Sequence, residues 1–173
     1  MINHAHAAHT LIRATLVRPY EQRDIPQIVD MLVQSIPTLP NYAMITPDPY
    51  KIEYTLRHGV TNGVAFGGWV LCDSHQDIKG CIGAWCVPSI MSDDLIADDI
   101  FMWIEPEHRS FIGASLLVQA YINWAIRLGA TLIRASHTGG SWDKSSREFA
   151  LFDLLLKRLG FNDVGSVYHH KIG

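Results

Sequence analysis

The sequence predicts an α/β chain of the α+β kind: a single domain with a mixed central sheet of about seven strands flanked by four helices. Three observations predict it. Short runs of branched and aromatic residues alternate with longer runs whose apolar residues recur every three to four positions. Two of the short runs, Ala65 to Cys72 and Ile78 to Val87, are joined by the polar turn Asp73-Ser74-His75-Gln76-Asp77, a hairpin by length and composition. A third run, Ile100 to Ile104, meets Pro106 and then feeds a helix through a short polar turn.

In chain order, residues 1–10 contain three histidines and read as a mobile tail, so the domain spans 11–173. Leu11 to Val17 is a strand, closed by Arg18-Pro19. Asp24 and Pro26 mark a helix start, and Ile25, Ile28, Val29, Leu32, Val33 and Ile36 form its apolar stripe up to Pro37. Pro37 to Pro47 is a proline-rich loop, in which Tyr42 and Met44 either line an acceptor site or cover the core. Asp48-Pro49 starts a second helix that runs to His58 and stops at Gly59. In the hairpin that follows, Gly80 and Gly83 allow a bulge or a close backbone approach. Pro88 to Leu95 is a short acidic loop.

Ile100 to Ile104 is the central strand. Pro106 ends it, because proline cannot donate to a sheet ladder. A helix starts at Phe111 or Ile112 and runs to Leu128, where Gly129 stops it. Leu117, Tyr121, Trp124 and Leu128 are its greasy stripe. Thr131 to Ala135 is a fifth strand, and Ser136 to Ser141 a polar loop. Ser145 or Ser146 caps a last helix to Leu159, with Glu148 completing a capping box if Ser145 is the cap. Phe149, Phe152, Leu156 and Leu159 are its expected buried face, and Asn162 to Ile172 form two short strands. The full order is strand, two helices, three strands, helix, strand, helix, two strands.

The 173 residues suit one full-sized core. The net charge of −3 offers no basic field, so nucleic acid is not an expected partner. No apolar stretch approaches the ~20 residues that span a bilayer. The first residues lack a charged-then-apolar export pattern, and the odd set Cys72, Cys81 and Cys86 reads as reduced, buried thiols. A cytoplasmic location is therefore expected. No metal ligand set is expected.

The corner between Ile104 and Ala114 carries the chemistry. The first amides of a helix have no internal partner and sit at the positive end of its dipole, which suits a phosphate or pyrophosphate. Gly113 and Ala114 keep side chains small there, and His108 and Arg109 stand beside them. Arg109 either adds charge to the seat or pairs with Glu105 or Glu107.

The residues Pro106-Glu107-His108-Arg109, then Gly113-Ala114-Ser115-Leu116-Leu117, resemble motif A of the GNAT family, the acetyl-CoA-dependent N-acetyltransferases. The family loop reads Q/R-x-x-G-x-G/A; its first glycine falls here at Phe111, with His108 in the Q/R position, or at Ile112, with Arg109 in that position. The runs V-R-P-Y-E-Q-R-D, V-L-C-D with I-K-G-C-I-G, and K-R-L-G-F-N-D-V-G-S-V-Y resemble the family's first strand, hairpin and ending. H-R-S-F-I-G followed by Y-I-N-W-A-I-R-L-G-A is similar to small acetyltransferase-like proteins of bacteriophages.

The resemblance implies a GNAT fold and direct transfer of acetyl from acetyl-CoA to a primary amine of a small molecule or protein. The backbone of Met102, Trp103 and Ile104 would pair with the pantetheine amides. His108, Arg109, Ser110, Phe111, Ile112, Gly113, Ala114 and Ser115 would surround the pyrophosphate. Asp98, six residues before Ile104, is the expected base and is expected to share a strand face with Ile100, Met102 and Ile104. The tyrosine that family members use as acid is replaced by Leu156, so Tyr168 takes that role, with His137 as the other candidate. A thiol of pKa about 8.5 also leaves as thiolate unaided. The alternative activity is a non-catalytic module that binds CoA or a partner protein in phage assembly or host takeover. Family members often dimerise, and Trp142 and Phe66 are the expected contacts.

Overall fold

The computed structural model describes residues 16–39, 45–59, 64–136 and 147–164, apart from the side chain of Glu148. Strand β1 (Leu16–Pro19) leads through a turn at Gln22–Asp24 into α1 (Ile25–Ser35). Helix α2 (Pro49–His58) precedes the hairpin of β2 (Ala65–Cys72) and β3 (Ile78–Pro88). Then come β4 (Leu95–Ile104), α3 (Phe111–Arg127), β5 (Leu132–Arg134) and α4 (Arg147–Arg158). The sheet runs β1-β2-β3-β4-β5. The first three pairings are antiparallel and β4 with β5 is parallel.

Local signals explain most boundaries. The Asp48 carboxylate accepts the N–H groups of Tyr50 (2.9 Å) and Lys51 (3.2 Å), satisfying two orphan donors of α2. Ser110 caps α3, its hydroxyl accepting one orphan donor, Gly113 N, at 3.0 Å. Gly59 and Gly129 close α2 and α3 with φ of +70° and +82°, a region that side chains disfavour.

Successive residues of a strand point to opposite faces, so each sheet face has its own core. On one face Val70, Cys72 and Cys81 pack with Ile25, Ile28, Leu32 and Leu56 of α1 and α2. On the other, Leu71, Ile82, Ala84, Cys86 and Ala97 pack with Leu117, Tyr121 and Ala125 of α3. Burying each large apolar side chain in these layers stabilises the fold by about 1.5–3 kcal/mol. Arg18 and Asp24 join β1 to the start of α1 through a 2.6 Å ion pair, with the Asp24 side chain 7% exposed. All three cysteines are free and buried, and burial pushes each thiol up, that of Cys81 to about 12.

The structure departs from expectation in several places, and β1 takes in Arg18 and Pro19, which were expected to close it. β4 begins at Leu95, earlier than Ile100, because its acidic first half looks polar in sequence. The deepest residue of α4 is Leu155, 1% exposed, while Phe149, Phe152, Leu156 and Leu159 are half-buried. Five strands are present among the described residues; Phe161 to Val164 are irregular, and the remaining span of the two expected last strands lies outside. Phe66 is half-buried, edge-on to Tyr20 at 6.4 Å, and is not an exposed contact. No helix among the described residues is long and apolar enough to cross a membrane.

Candidate active site

Strands β4 and β5 part company early. They pair only at Ile96–Leu132, Ala97–Ile133 and Asp98–Arg134. From Asp99 to Ile104 the β5 side of β4 has no strand partner among the described residues. A fork results, open toward the end of β4 where α3 begins.

On its other side β4 carries a bulge. Gly83 pairs with Phe101 and Ala84 with Asp99, so Ile100 is an extra residue without a partner on β3. A bulge reverses the alternation of side chains. Asp99 therefore lies across from Ala84, on the α3 face with Met102 and Ile104, which pair with Ile82 and Gly80. Asp98 lies across from Trp85 on the opposite face, with Phe101 and Trp103. The expectation that Asp98 shares a face with Met102 and Ile104 is thus corrected; it holds only for an unbroken strand.

The two aspartates differ in their partners. Asp98 is gripped by the Arg134 guanidinium through both oxygens, Nη2 to Oδ2 at 2.6 Å, and lies 3.4 Å from Trp85 Nε1. Asp99 accepts the Ser136 main-chain N–H at 2.7 Å and the Ser136 hydroxyl at 3.0 Å. Burial dominates its titration, with the neighbouring Asp98 charge adding to it, and pushes the Asp99 carboxyl up to about 6. Tyr121, fully buried on α3, donates its hydroxyl to the Arg134 carbonyl at 2.7 Å. Burial and the two aspartates hold that phenol in its neutral form well above the usual range.

Among the described residues, the α3 corner is open. Ser110 occupies the Gly113 amide and the Ser110 carbonyl accepts Ala114 N, leaving the Phe111 and Ile112 amides without an intrahelical partner. The Phe111 ring stays at the surface, 37% exposed, with the Arg158 guanidinium 5.3 Å from its centroid. Arg109 donates to the Ile104 carbonyl at 3.1 Å and lies 4.8 Å over the Trp103 ring, rather than pairing with Glu105 or Glu107. Glu105 is shared between His108 (3.3 Å) and Lys79 (4.0 Å). Ligand atoms of Glu105, Glu107 and His108 come within 4.8 Å of one another, and the buried His108 Nδ1 makes no hydrogen bond among the described residues.

The structure thus brings together Met102 to Ser115 along one edge of the fork and its floor, with Asp98 and Asp99 at the vertex. Tyr168 and His137, like Tyr42, Met44 and Trp142, lie outside the described residues. Asp99, Tyr121, Arg134, Ser136 and Arg158 were not marked as site residues by sequence. One signal did exist for Arg134, a charge inside the short apolar run Leu132-Ile133-Arg134. A separate open cavity of about 750 Å³, bounded by Tyr20, Gly67, Gly68, Trp124 and Arg127, sits at the outer edge of β2. β3 and β4 separate it from the fork, so it is not part of this site.

The sequence matches no family model, and no curated protein matches it. Solved structures resemble it closely in fold. An aminoglycoside acetyltransferase from an uncultured soil metagenomic sample superposes with a TM-score of 0.67 at 12% identity, over 92% of this chain and 99% of the other. The ribosomal-protein-alanine N-acetyltransferase of Brucella melitensis gives 0.61 at 14% identity, over 92% and 100%. The aminoglycoside 6'-N-acetyltransferase AAC(6')-Iy, solved with a bisubstrate analog of CoA and acetylneamine, gives 0.63 at 13%, over 92% and 99%. In architecture, this chain has the fold of the GNAT N-acetyltransferases.

Proposed function

We propose that the protein is an N-acetyltransferase that moves acetyl from acetyl-CoA directly to a primary amine of a small molecule or protein. The observation that carries this reading is the fork: among the described residues β4 presents an unpaired edge from Asp99 to Ile104, and that edge ends at the start of α3, within a GNAT fold. An unpaired strand edge offers main-chain donors and acceptors to the amides of pantetheine, here at Met102 and Ile104, while the main chain of Trp103 between them faces β3 and the Ile104 carbonyl already accepts one bond from Arg109. The bare Phe111 and Ile112 amides seat the pyrophosphate. His108, Arg109, Ser110, Gly113, Ala114 and Ser115 surround that seat; the Gly113 and Ala114 amides are already bonded to Ser110, and Arg109 is held by Trp103 and Ile104.

Within this frame Asp99 takes the base role first assigned to Asp98. Both Asp98 oxygens are held by Arg134, whereas Asp99 lies on the α3 face with Met102 and Ile104 and its carboxyl is pushed up to about 6, near the working range of a base. Asp99 accepts the proton released by the attacking amine, through water. Tyr168 returns a proton to the departing sulfur. The thioester supplies the acyl group, and the chain's share of the rate is placement and proton transfer.

Isothermal titration with acetyl-CoA, followed by acetyl transfer to an aminoglycoside and to a peptide with an N-terminal alanine, tests the reading. Binding with turnover of either amine supports it. Binding without turnover on a broader amine panel reduces the protein to a CoA-binding module, and absence of binding overturns both.

A further inference from the structure

Arg134 is the last paired residue of β5, and three ties converge on it. Its backbone is in parallel register with Asp98, its guanidinium grips both Asp98 oxygens, and its carbonyl accepts the Tyr121 hydroxyl at 2.7 Å. Two residues later Ser136 binds Asp99 through main chain and hydroxyl. Adjacent aspartates of β4, on opposite sheet faces, are thus each tied to the chain leaving β5. The tyrosine claims the carbonyl at which the ladder ends.

We propose that Arg134 is the positioning residue of the transfer site: it fixes the vertex of the fork and cancels the Asp98 charge beside the base, Asp99. The catalytic half of this proposal rests on the acetyltransferase reading; the electrostatic half does not. Among the described residues, the titratable groups around the vertex are Asp98 next in chain, Tyr121 from α3, Cys86 from β3 and Arg134 from β5. Burial keeps Tyr121 and Cys86 neutral near pH 7, since it pushes both up. The charge balance at Asp99 is therefore set by Asp98 against Arg134. Losing the cation leaves a bare like charge next to Asp99 and favours its protonated form; losing Asp98 leaves the cation and favours the carboxylate. A lysine keeps the charge but not the planar two-pronged grip.

The test follows the Asp99 side-chain carboxyl by NMR with ¹³C-labelled aspartate, between about pH 4 and pH 8, in the wild type and three variants. Arg134→Gln is expected to raise the midpoint by about one pH unit, a tenfold change in proton affinity, and Asp98→Asn to lower it. Arg134→Lys is expected to leave the midpoint near the wild-type value yet weaken acetyl-CoA binding, measured by calorimetry, on the order of tenfold. Midpoints that do not move in Arg134→Gln and Asp98→Asn overturn the electrostatic half. Undiminished acetyl-CoA affinity in Arg134→Lys overturns the positioning half. If Arg134→Gln does not fold, Asp98→Asn carries the charge test and Tyr121→Phe, which severs the same vertex, carries the affinity test. A wild type that titrates as expected but binds no acetyl-CoA overturns the acetyltransferase reading and the positioning half with it, and supports the electrostatic half alone.

Discussion

Gly83 faces Phe101 across β3 and β4, and a Cβ built on Gly83 would run into the Phe101 ring. The ring covers the backbone at the point where Ile100 bulges out of register. Gly83→Ala is expected to cost about 1–3 kcal/mol through overpacking, read from urea unfolding. It should also disturb the bulge that aims Asp99, so the variant's Asp99 titration should change as well.

Asp99→Asn removes the proposed base. Because the Asp99 carboxyl is pushed up to about 6, wild-type transfer should rise as pH climbs through that value and then level off. The variant should lose this limb and about 10²–10⁴-fold in rate, with acetyl-CoA affinity kept. The stability sign is the opposite of a paired carboxylate. A raised acid stabilises the fold fully below its unfolded value of 3.8 and loses that contribution as pH rises through about 6. At pH 7 the variant should therefore melt no lower than the wild type.

Asp24 shows the ordinary sign. The Arg18 hydrogen bond, opposed by burial and helped by the Glu21 N–H, holds its carboxyl below 3.8. Its stabilisation is complete above that pH and fades as pH falls through the lowered value. Asp24→Ala leaves Arg18 uncompensated at 19% side-chain exposure and is expected to cost about 3–5 kcal/mol. Melting curves from pH 2 to pH 7 check both points, and the variant should lack part of the wild type's acid slope.

Gly113 is expected to matter for packing more than for ligand clearance. An added Cβ would meet a Leu71 methyl at 3.0 Å and the Ser110 Oγ at 3.1 Å, inside the fold rather than at the open corner. Gly113→Val should therefore lower stability by about 1–3 kcal/mol. Ser110→Ala, which deletes only the cap, should cost about 1 kcal/mol. Thermal melts of the two variants separate the effects.

Much of this architecture is readable in the residues because its signals are local. Asp48 with Pro49, Ser110 before an apolar run, and Gly59 and Gly129 after one are caps and stops that act within a turn. The site was only half legible because its decisive events join distant segments. Gly83 did mark a place where a bulge is allowed, but whether the extra residue falls on β3 or β4 depends on pairing across the hairpin. That single residue exchanges the faces of Asp98 and Asp99. The grip of Arg134 on Asp98 depends on a parallel register that no short-range pattern encodes. Leu155 escaped notice because the buried side of α4 is set by where α3 lies.

The run Ile100-Phe101-Met102-Trp103-Ile104 along the open side of β4 has a cost when nothing fills the fork. Main-chain groups suited to an amide-bearing ligand suit another polypeptide equally well, and an apolar strand with one side unpaired among the described residues is a template for self-association. On the acetyltransferase reading, the protein purified without acetyl-CoA should clump more readily on storage, and added acetyl-CoA should keep it in solution by taking the place a neighbouring chain would otherwise occupy.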